Sequence, residues 1–317
     1  MKIFIKNILY FIIPLLIVIL LFDFIISKNL SECKSISHGE MGVWNDIYKR
    51  KIKAEIAVYG SSVACFQVNS GLVKKETGLE TYNFGIEGHN FFLQYLRHKL
   101  YMKYNKKPKF IIYIIEPYFL SFNKELFSLE QFLPNIREPE VVDFTSQMEG
   151  LRWYDYFIPL IRYYGKTNEI TDAFKNIIGL RENSYIRKKG FYGQKLTWDR
   201  TYLTYVKSTT DCYKKNIDIK SLNLFKKFIS ECKKDKIKLF FISPPVQKEG
   251  QSLICGKSKF DHLIKNIALK NKITYIDYFN DSICNDTNLF FNARHLNYKG
   301  ANIFTHKIIL DINKSLK

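Results

Sequence analysis

The chain has 317 residues, of which 46% are hydrophobic and 16% aromatic, a content that supports a packed core and excludes a mainly disordered protein. Its formal charge of +19 comes from 49 lysine and arginine residues against 30 aspartate and glutamate residues. The basic residues are mostly scattered lysines, without an arginine-rich helix or an RNA-binding aromatic signature. We therefore interpret the charge as a solvated surface and expect no nucleic-acid partner.

The first 28 residues predict a membrane anchor. Lys2 and Lys6 precede an uncharged run from Ile8 to Phe22, which is close to the roughly 20 residues that cross a bilayer, and Asp23 is expected near the interface. Residues 24–26 are bulky, whereas a signal peptidase needs small residues at its cleavage site, so we expect the segment to remain uncleaved. The lysines on the two sides of the run nearly balance, and charge leaves the orientation open.

A polar connector is predicted for residues 29–53, with an amphipathic piece at Trp44–Tyr48, and alternating strands and helices follow from residue 54. This alternation predicts an α/β domain with a parallel sheet over 54–317. Residues 120–217 break the pattern and are interpreted as an inserted irregular region with some helix. The predicted strands cover 54–60, 81–88, 109–119, 237–245 and 273–279, and the predicted helices cover 63–76, 90–104, 221–233, 257–269 and 298 to the C-terminus.

The six cysteines, at positions 33, 65, 212, 232, 255 and 284, show neither a Cys-x-x-Cys pair nor a metal-ligand spacing. We therefore expect no metal and no cofactor. Cys255 and Cys284 lie in loop-like segments and could form a disulfide in an oxidising compartment, while ordinary free or buried thiols are an equally good interpretation.

Candidate chemistry follows the predicted strands. Ser61 and Ser62 come after the first strand, Gly88 and Asn90 after the second, and His295 lies in a loop before the last helix. Ligands of an open parallel sheet bind at the carboxyl ends of its strands, so these loops are expected to meet. A serine hydroxyl becomes a useful nucleophile when a base accepts its proton, and Ser62 is preferred because it lies at the helix entry.

Three blocks together resemble the GDSL-type SGNH hydrolases: YGSSVA (59–64), YNFGIEGHN (82–90) and NARHLNYKGA (292–301). They are most similar to a membrane-anchored bacterial branch in which the first block reads Gly-Ser-Ser, related to surface-polysaccharide O-acylation and teichoic acid D-alanylation proteins. The resemblance spans essentially the whole chain beyond the anchor. It implies a three-layer, flavodoxin-like α/β fold with Ser62 as nucleophile, His295 as base, and the Ser62 N–H and Gly88 in the oxyanion hole.

Two positions depart from the family pattern. Asn292 stands where an acidic residue is expected three positions before the histidine, and the third block has Glu116 where the family supplies an oxyanion-hole asparagine. Three outcomes stay open. Asn292 turns its carbonyl oxygen towards His295, another acid replaces it, or the chain is slow or inactive. The acids considered for this role are Asp277, Asp286 and Glu116.

Further candidates carry weaker signals. Asn90 is a second possible oxyanion donor, although asparagine is more often a turn residue in such a context. His89 and Arg294 flank the predicted site and are candidates for substrate binding, as is Trp198 in the insertion. The plainer interpretations are an incidental histidine, an exposed arginine and a tryptophan packed in the core.

The expected function is that of a membrane-anchored SGNH-type serine esterase or O-acyltransferase acting on acyl, and first of all acetyl, groups of a cell-surface or capsular polysaccharide. The resemblance implies a bacterial cytoplasmic membrane protein whose body is periplasmic or extracellular. The expected partners are the membrane and the polysaccharide, with a membrane acyl-donating protein as a further candidate. The alternative is a catalytically silent membrane-tethered scaffold or glycan-binding protein. A lipid esterase is less favoured, because no long apolar lid is evident.

Overall fold

A computed structural model describes residues 1–32, 39–180, 187–198 and 216–316 of the chain. The chain divides into two compact units, which are described separately. The first unit is Met1–Asn45 with Lys124–Ile186, and the second is Asp46–Asn123 with Arg187–Lys317. The described α-helices are α1 (Lys2–Glu32), α2 (Gly39–Tyr48), α3 (Ser62–Gln67), α4 (Ser70–Thr77), α5 (Phe91–Tyr104), α6 (Pro139–Thr145), α7 (Trp153–Phe157), α8 (Thr167–Ile177), α9 (Ile219–Lys234), α10 (Lys257–Lys270) and α11 (Tyr298–Leu316).

The second unit is built on a parallel sheet, which in the described residues has five strands in the order β2-β1-β3-β4-β5. This is the flavodoxin-like order, in which the chain reverses direction across the sheet between β1 and β3. The predicted α/β class with a flavodoxin-like parallel sheet is confirmed. The strands are β1 (Ile56–Tyr59), β2 (Thr81–Asn83), β3 (Phe110–Ile114), β4 (Lys238–Ser243) and β5 (Thr274–Asp277).

The strands are almost continuously apolar because helices cover both faces of the sheet. One face packs on the closing helix α11, through a cluster that includes Ile56, Val58, Ile112, Phe240, Phe304 and Ile308. Directly after β1 the backbone of Gly60 has φ +144°, and a Cβ there would lie 2.8 Å from the Cβ of Ala64 and 2.9 Å from the carbonyl oxygen of Ile114. Only glycine fits this turn, which delivers the two serines to the end of the sheet.

Two sequence expectations about these elements need correction. The helix predicted for residues 63–76 is two helices, α3 and α4, because the side chain of Asn69 accepts hydrogen bonds from the N–H groups of Gly71 and Leu72 and starts a new helix there. The strand predicted for 81–88 ends at Asn83, since the chain leaves the sheet in the glycine-containing loop.

The cysteine pairing considered from the sequence is also wrong. Cys284 is a free and buried thiol, whereas Cys255 is disulfide-bonded. Cys65 and Cys232 are free and buried as well, and burial raises the pKa of the Cys232 thiol, which keeps it protonated. These thiols therefore belong to the packed interior.

The first unit contains α1, whose described part is long and apolar enough to cross a membrane. Almost all of its side chains from residue 3 to residue 22 are exposed, and the buried positions begin at Asp23. From there the helix packs against residues of the predicted insertion, in a cluster that includes Ile26, Leu30, Leu133, Ile136, Tyr163 and Ala173. Within the predicted connector, Trp44 is buried in α2 and its indole N–H donates to Gln131 Oε1 at 2.8 Å.

A buried ion pair holds α1 to the insertion. Asp23 Oδ2 accepts a hydrogen bond from Arg162 Nη2 at 2.8 Å, and Leu160 N–H donates to Asp23 Oδ1 at 2.8 Å. The two charged side chains are 5% and 3% exposed, so water does not screen them. Arg137 Nη1 lies 3.5 Å from the same carboxylate. A buried charge needs its partner, because removing one member leaves the other without compensation.

Asp23→Asn is expected to lower the free energy of unfolding of the first unit by roughly 3–5 kcal/mol, because it leaves the Arg162 guanidinium buried without a counter-charge. The double variant Asp23→Asn/Arg162→Leu should recover most of that loss. Thermal unfolding of the full-length protein in detergent, with limited proteolysis of the insertion, measures both. The exposed Asp143→Asn is the matched control, and a single variant as stable as that control would contradict the account.

Candidate active site

Ser62 and His295 meet at the carboxyl ends of the strands. Ser62 is the first residue of α3, and its Oγ lies 2.9 Å from Nε2 of His295. The two residues are separated by 233 positions, so the contact is made by the sheet and not by local sequence. This is the serine–base arrangement that activates a hydroxyl for nucleophilic attack.

Backbone hydrogen bonds fix the loop that carries His295. Phe291 N–H donates to the His295 carbonyl oxygen at 3.0 Å, and Asn297 N–H donates to the carbonyl oxygen of Leu289 at 2.9 Å, so the loop is closed on itself. Gln67 Nε2 donates to the carbonyl oxygen of Arg294 at 2.7 Å. Gln67 ends the helix that Ser62 begins, and this bond therefore joins the serine and histidine elements directly.

The side chain of Asn292 orients the imidazole. Its Oδ1 lies 3.0 Å from His295 Nδ1 and accepts hydrogen bonds from the backbone N–H groups of Arg294 and His295, both at 2.9 Å. The reversed amide would point its NH₂ group at these two backbone donors, so they fix the oxygen in this place. His295 consequently carries its proton on Nδ1, and Nε2 offers a lone pair to the Ser62 hydroxyl.

The other acids suggested by the sequence are engaged elsewhere. Asp277 accepts from the N–H of Phe279 and pairs with Lys257, and Asp286 accepts from the N–H of Asn288. Glu116 bonds to Ser61 and to Arg294. Among the hydrogen bonds of the described residues none of these three carboxylates reaches His295. Of the three outcomes left open, the geometry matches an asparagine carbonyl facing the histidine.

Aromatic packing makes His295 a weak base. Its ring lies against the edge of Phe66, with the centroids 5.2 Å apart, and stacks on Phe291 at 5.4 Å. Loss of hydration and the neighbouring Arg294 guanidinium lower the pKa of His295 to about 3. The imidazole is therefore neutral near pH 7 and available as an acceptor, but its affinity for a proton is far below the optimum for general-base catalysis at that pH.

The loop after β2 lies against the start of α3. Phe84 N–H donates to Val58 O at 2.7 Å and Ile86 N–H donates to Gly60 O at 3.0 Å, so this loop follows the end of β1. A Cβ on Gly85 would lie 2.5 Å from the backbone nitrogen of Cys65, which makes glycine necessary for the approach. Gly88 turns the same loop with φ +69°. The oxyanion roles of Gly88 and of the Ser62 N–H remain predictions.

The structure gives other roles to several predicted site residues. Asn90 Nδ2 donates to the carbonyl oxygen and to Oγ of Ser121, at 2.9 and 2.7 Å, so its amide fastens the loop after β3, and its oxyanion role stays a prediction. His89 is buried and Trp198 packs against the sheet core, in line with the plainer interpretation of a tryptophan. Arg294 is half-exposed beside His295 and pairs with Glu116, and its role in substrate binding stays a prediction.

The contact between Ser61 and Glu116, beside Ser62, was not predicted from the sequence, although both residues were considered there. Ser61 Oγ donates to Glu116 Oε2 and accepts from the N–H of Val63, which makes Ser61 the N-cap of α3. The buried Glu116 in turn accepts from Arg294 Nη2 at 2.7 Å. The available signal was a carboxylate directly after the otherwise apolar middle strand. Among the described residues no cluster of three or more metal-binding side chains is present.

Comparisons with known proteins give a weak likeness. No protein-family model and no curated protein matches the chain. One similar solved structure is that of a candidate platelet activating factor from Streptococcus pneumoniae, with TM-score 0.43 and 11% identity over 86% of this chain and 90% of the other. Another is a candidate acylhydrolase from Bacteroides fragilis, with TM-score 0.38 and 14% identity over 84% and 90%. Values this low assign neither a family nor an activity.

Asn292→Asp is expected to make His295 a stronger base. A carboxylate oxygen accepts the same three hydrogen bonds and adds a negative charge that stabilises the imidazolium, so the pKa of His295 rises from about 3. In the pH profile of kcat/KM for an aryl acetate, the fall in rate on the acidic side should therefore move to higher pH. The plateau above it should be about 10-fold higher than that of the wild type, or more.

Asn266→Asp is the matched control, since it adds the same charge to an exposed side chain of α10. An Asn292→Asp profile that coincides with that of the wild type would contradict the assigned hydrogen bond.

Proposed function

We propose that the chain is a membrane-anchored SGNH-type serine esterase or O-acyltransferase that removes or transfers acyl groups, acetyl first among them, on a cell-surface or capsular polysaccharide. The observation that carries the proposal is the 2.9 Å contact between Ser62 Oγ and His295 Nε2, with Asn292 Oδ1 placed behind Nδ1. If His295 only packed in the interior, its ring would not need a hydrogen-bond acceptor at one nitrogen and a serine hydroxyl at the other.

In the first step the Ser62 oxygen attacks the carbonyl carbon of an acyl ester while its proton passes to His295 Nε2. The C–O bond of the ester then breaks, the imidazolium returns the proton to the departing sugar oxygen, and the acyl group remains on Ser62. Backbone N–H groups of Ser62 and Gly88 hold the oxyanion between these events.

In the second step His295 takes a proton from the acceptor hydroxyl, whose oxygen attacks the acyl-serine. The bond between the acyl carbon and Ser62 Oγ then breaks, and the imidazolium returns the proton to Ser62 Oγ. Water as acceptor gives hydrolysis, and a sugar hydroxyl gives transfer. The imidazolium formed in both steps faces an amide oxygen and not a carboxylate. In the serine protease triad, replacing the aspartate by asparagine costs about 10⁴-fold in rate because the histidine is held in the wrong tautomer. Here the tautomer is correct. The missing charge remains as a cost, together with the low pKa that burial and Arg294 give to His295.

The location outside the cytoplasm is supported by two features of the chain. The apolar length of α1 suits a membrane anchor. The disulfide at Cys255 suits an oxidising compartment, because cytoplasmic thiols are kept reduced. The polysaccharide substrate and a membrane acyl-donating partner are taken from the resemblance of the three sequence blocks, and the half-exposed Arg294 is the side chain proposed to meet an anionic part of the substrate.

A catalytically silent scaffold is the second candidate, and one observation favours it. The low pKa of His295 and the amide partner together leave the serine with a weak base. A protein that only binds a glycan would tolerate both changes.

Turnover of an aryl acetate by the full-length protein in detergent distinguishes the two candidates. Ser62→Ala and His295→Ala should each lose roughly 10³-fold or more in kcat/KM, because each removes a member of the same unit. The matched control is Ser61→Ala, which removes a helix cap worth about 1 kcal/mol but leaves Ser62 in place. It should keep measurable turnover.

The polysaccharide is tested with the same four proteins. Release of acetate from an O-acetylated surface polysaccharide, or its transfer to a deacetylated one, should follow the same order of activities. A wild type as inert as Ser62→Ala on every ester would contradict the enzyme and favour the scaffold.

A further inference from the structure

The insertion exposes a concentrated set of aromatic and apolar side chains. Within residues 153–164, here called the 153–164 segment, Trp153 is 67%, Phe157 69% and Tyr164 91% exposed. Tyr156 and Tyr163 of the same segment are buried, so the segment is folded. Trp153 and Phe157 are four residues apart in α7 and therefore share one face of that helix. Large contiguous apolar patches are rare on soluble monomers and mark a surface that meets a partner or a membrane.

The segment is fastened to α1 at the point where the helix becomes buried. Leu160 N–H and Arg162 both bond to Asp23, and Tyr163 Oη lies 2.8 Å from Ser27 Oγ. Apart from Lys6 and Asn7, residues 3–22 before this point are apolar, and almost all are exposed; 20 helical residues extend about 30 Å, the thickness of a bilayer core. If this stretch spans the membrane, the 153–164 segment lies at the level of the lipid headgroups.

A groove at the same level combines the two chemistries of a phospholipid. It has a volume of about 520 Å³, and its lining includes Leu20 and Phe24 from α1, the basic Arg137 and Arg162, and the acidic Asp23 and Glu138. The Arg162 guanidinium is buried and paired with Asp23, whereas the Arg137 guanidinium is half-exposed and is the basic group that a phosphate can reach. Guanidinium groups bind phosphate well, and the apolar residues beside them suit the start of an acyl chain.

We infer that the 153–164 segment is a membrane-surface element, with Trp153, Phe157 and Tyr164 inserted into the headgroup layer of a phospholipid bilayer where α1 leaves it. The inference rests on the membrane anchor of the proposed function. Tryptophan and tyrosine favour this layer because their rings are apolar while their N–H and O–H groups remain hydrated. A bilayer is chosen over a protein partner because the segment continues the apolar surface of α1 and is fixed to it by Asp23.

Tryptophan quenching in lipid nanodiscs tests the inference with the full-length protein. The discs contain phospholipids whose acyl chains are brominated either near the headgroup or near the chain end. The contribution of Trp153 is the difference in emission between the wild type and Trp153→Tyr. The emission of Trp153 should be quenched by bromine near the headgroup and quenched less by bromine near the chain end.

Leu16→Trp in the Trp153→Tyr background reports on the anchor separately, since Leu16 lies in the apolar run of α1. Its emission should be lost with bromine near the chain end. If Leu16→Trp is quenched and Trp153 is not by either lipid, the segment lies off the bilayer, its surface is left for a protein partner, and the inference is overturned while the anchor stands. If neither is quenched, the anchor itself fails and the inference fails with it.

Discussion

The parallel pairing of β1 with both β2 and β3 is the constraint on which the candidate site depends. Ala57 pairs with Tyr82 on one side and with Ile111 on the other, so the loops after all three strands leave the sheet at one edge. Ser62, Gly88 and Glu116 reach that edge from different parts of the chain. The loop before α11 brings His295 to the same place, and the glycines at 60 and 85 allow the backbones to approach closely enough.

At this edge of the sheet, different groups set the orientation of the His295 ring and its basicity. Asn292 supplies an acceptor for Nδ1 and two backbone N–H groups, so it orients the ring as an aspartate would. It supplies no charge, and the aromatic neighbours with Arg294 lower the pKa of His295 further. The carboxylate present beside the site, Glu116, is used for Ser61 and Arg294. The site is consequently well ordered but has a weak base.

Much of this arrangement could be predicted from the sequence, because buried parallel strands are continuous apolar runs and their ends carry the polar residues. The Ser62–His295 pairing followed from that rule. Other features depend on local hydrogen bonds that the pattern does not show. Asn69 caps a new helix and so divides the predicted one, and Ser121 accepts hydrogen bonds from the amide of Asn90. The orientation of Asn292 and the partners of Glu116 depend on donors that come close only after folding, so periodicity carried no signal for them.

The insertion shows the same limit of prediction from sequence, here for a whole segment. Its aromatic content is visible in the sequence, but which tyrosines are buried and which are exposed is set by the contact with α1 through Asp23. A polar residue at the end of an apolar run predicts an interfacial position, and the structure shows that Asp23 also holds a buried ion pair. The apolar helix α1 is therefore part of a folded unit.

The central claim is that Ser62 is the hydroxyl activated by His295. Its most direct test is mass spectrometric mapping of the wild-type protein after reaction with a serine-directed fluorophosphonate. The account predicts a single adduct on the peptide that contains Ser62, localised by fragmentation to that residue and absent after His295→Ala. An adduct on Ser61, or no adduct in the folded wild type, would contradict it.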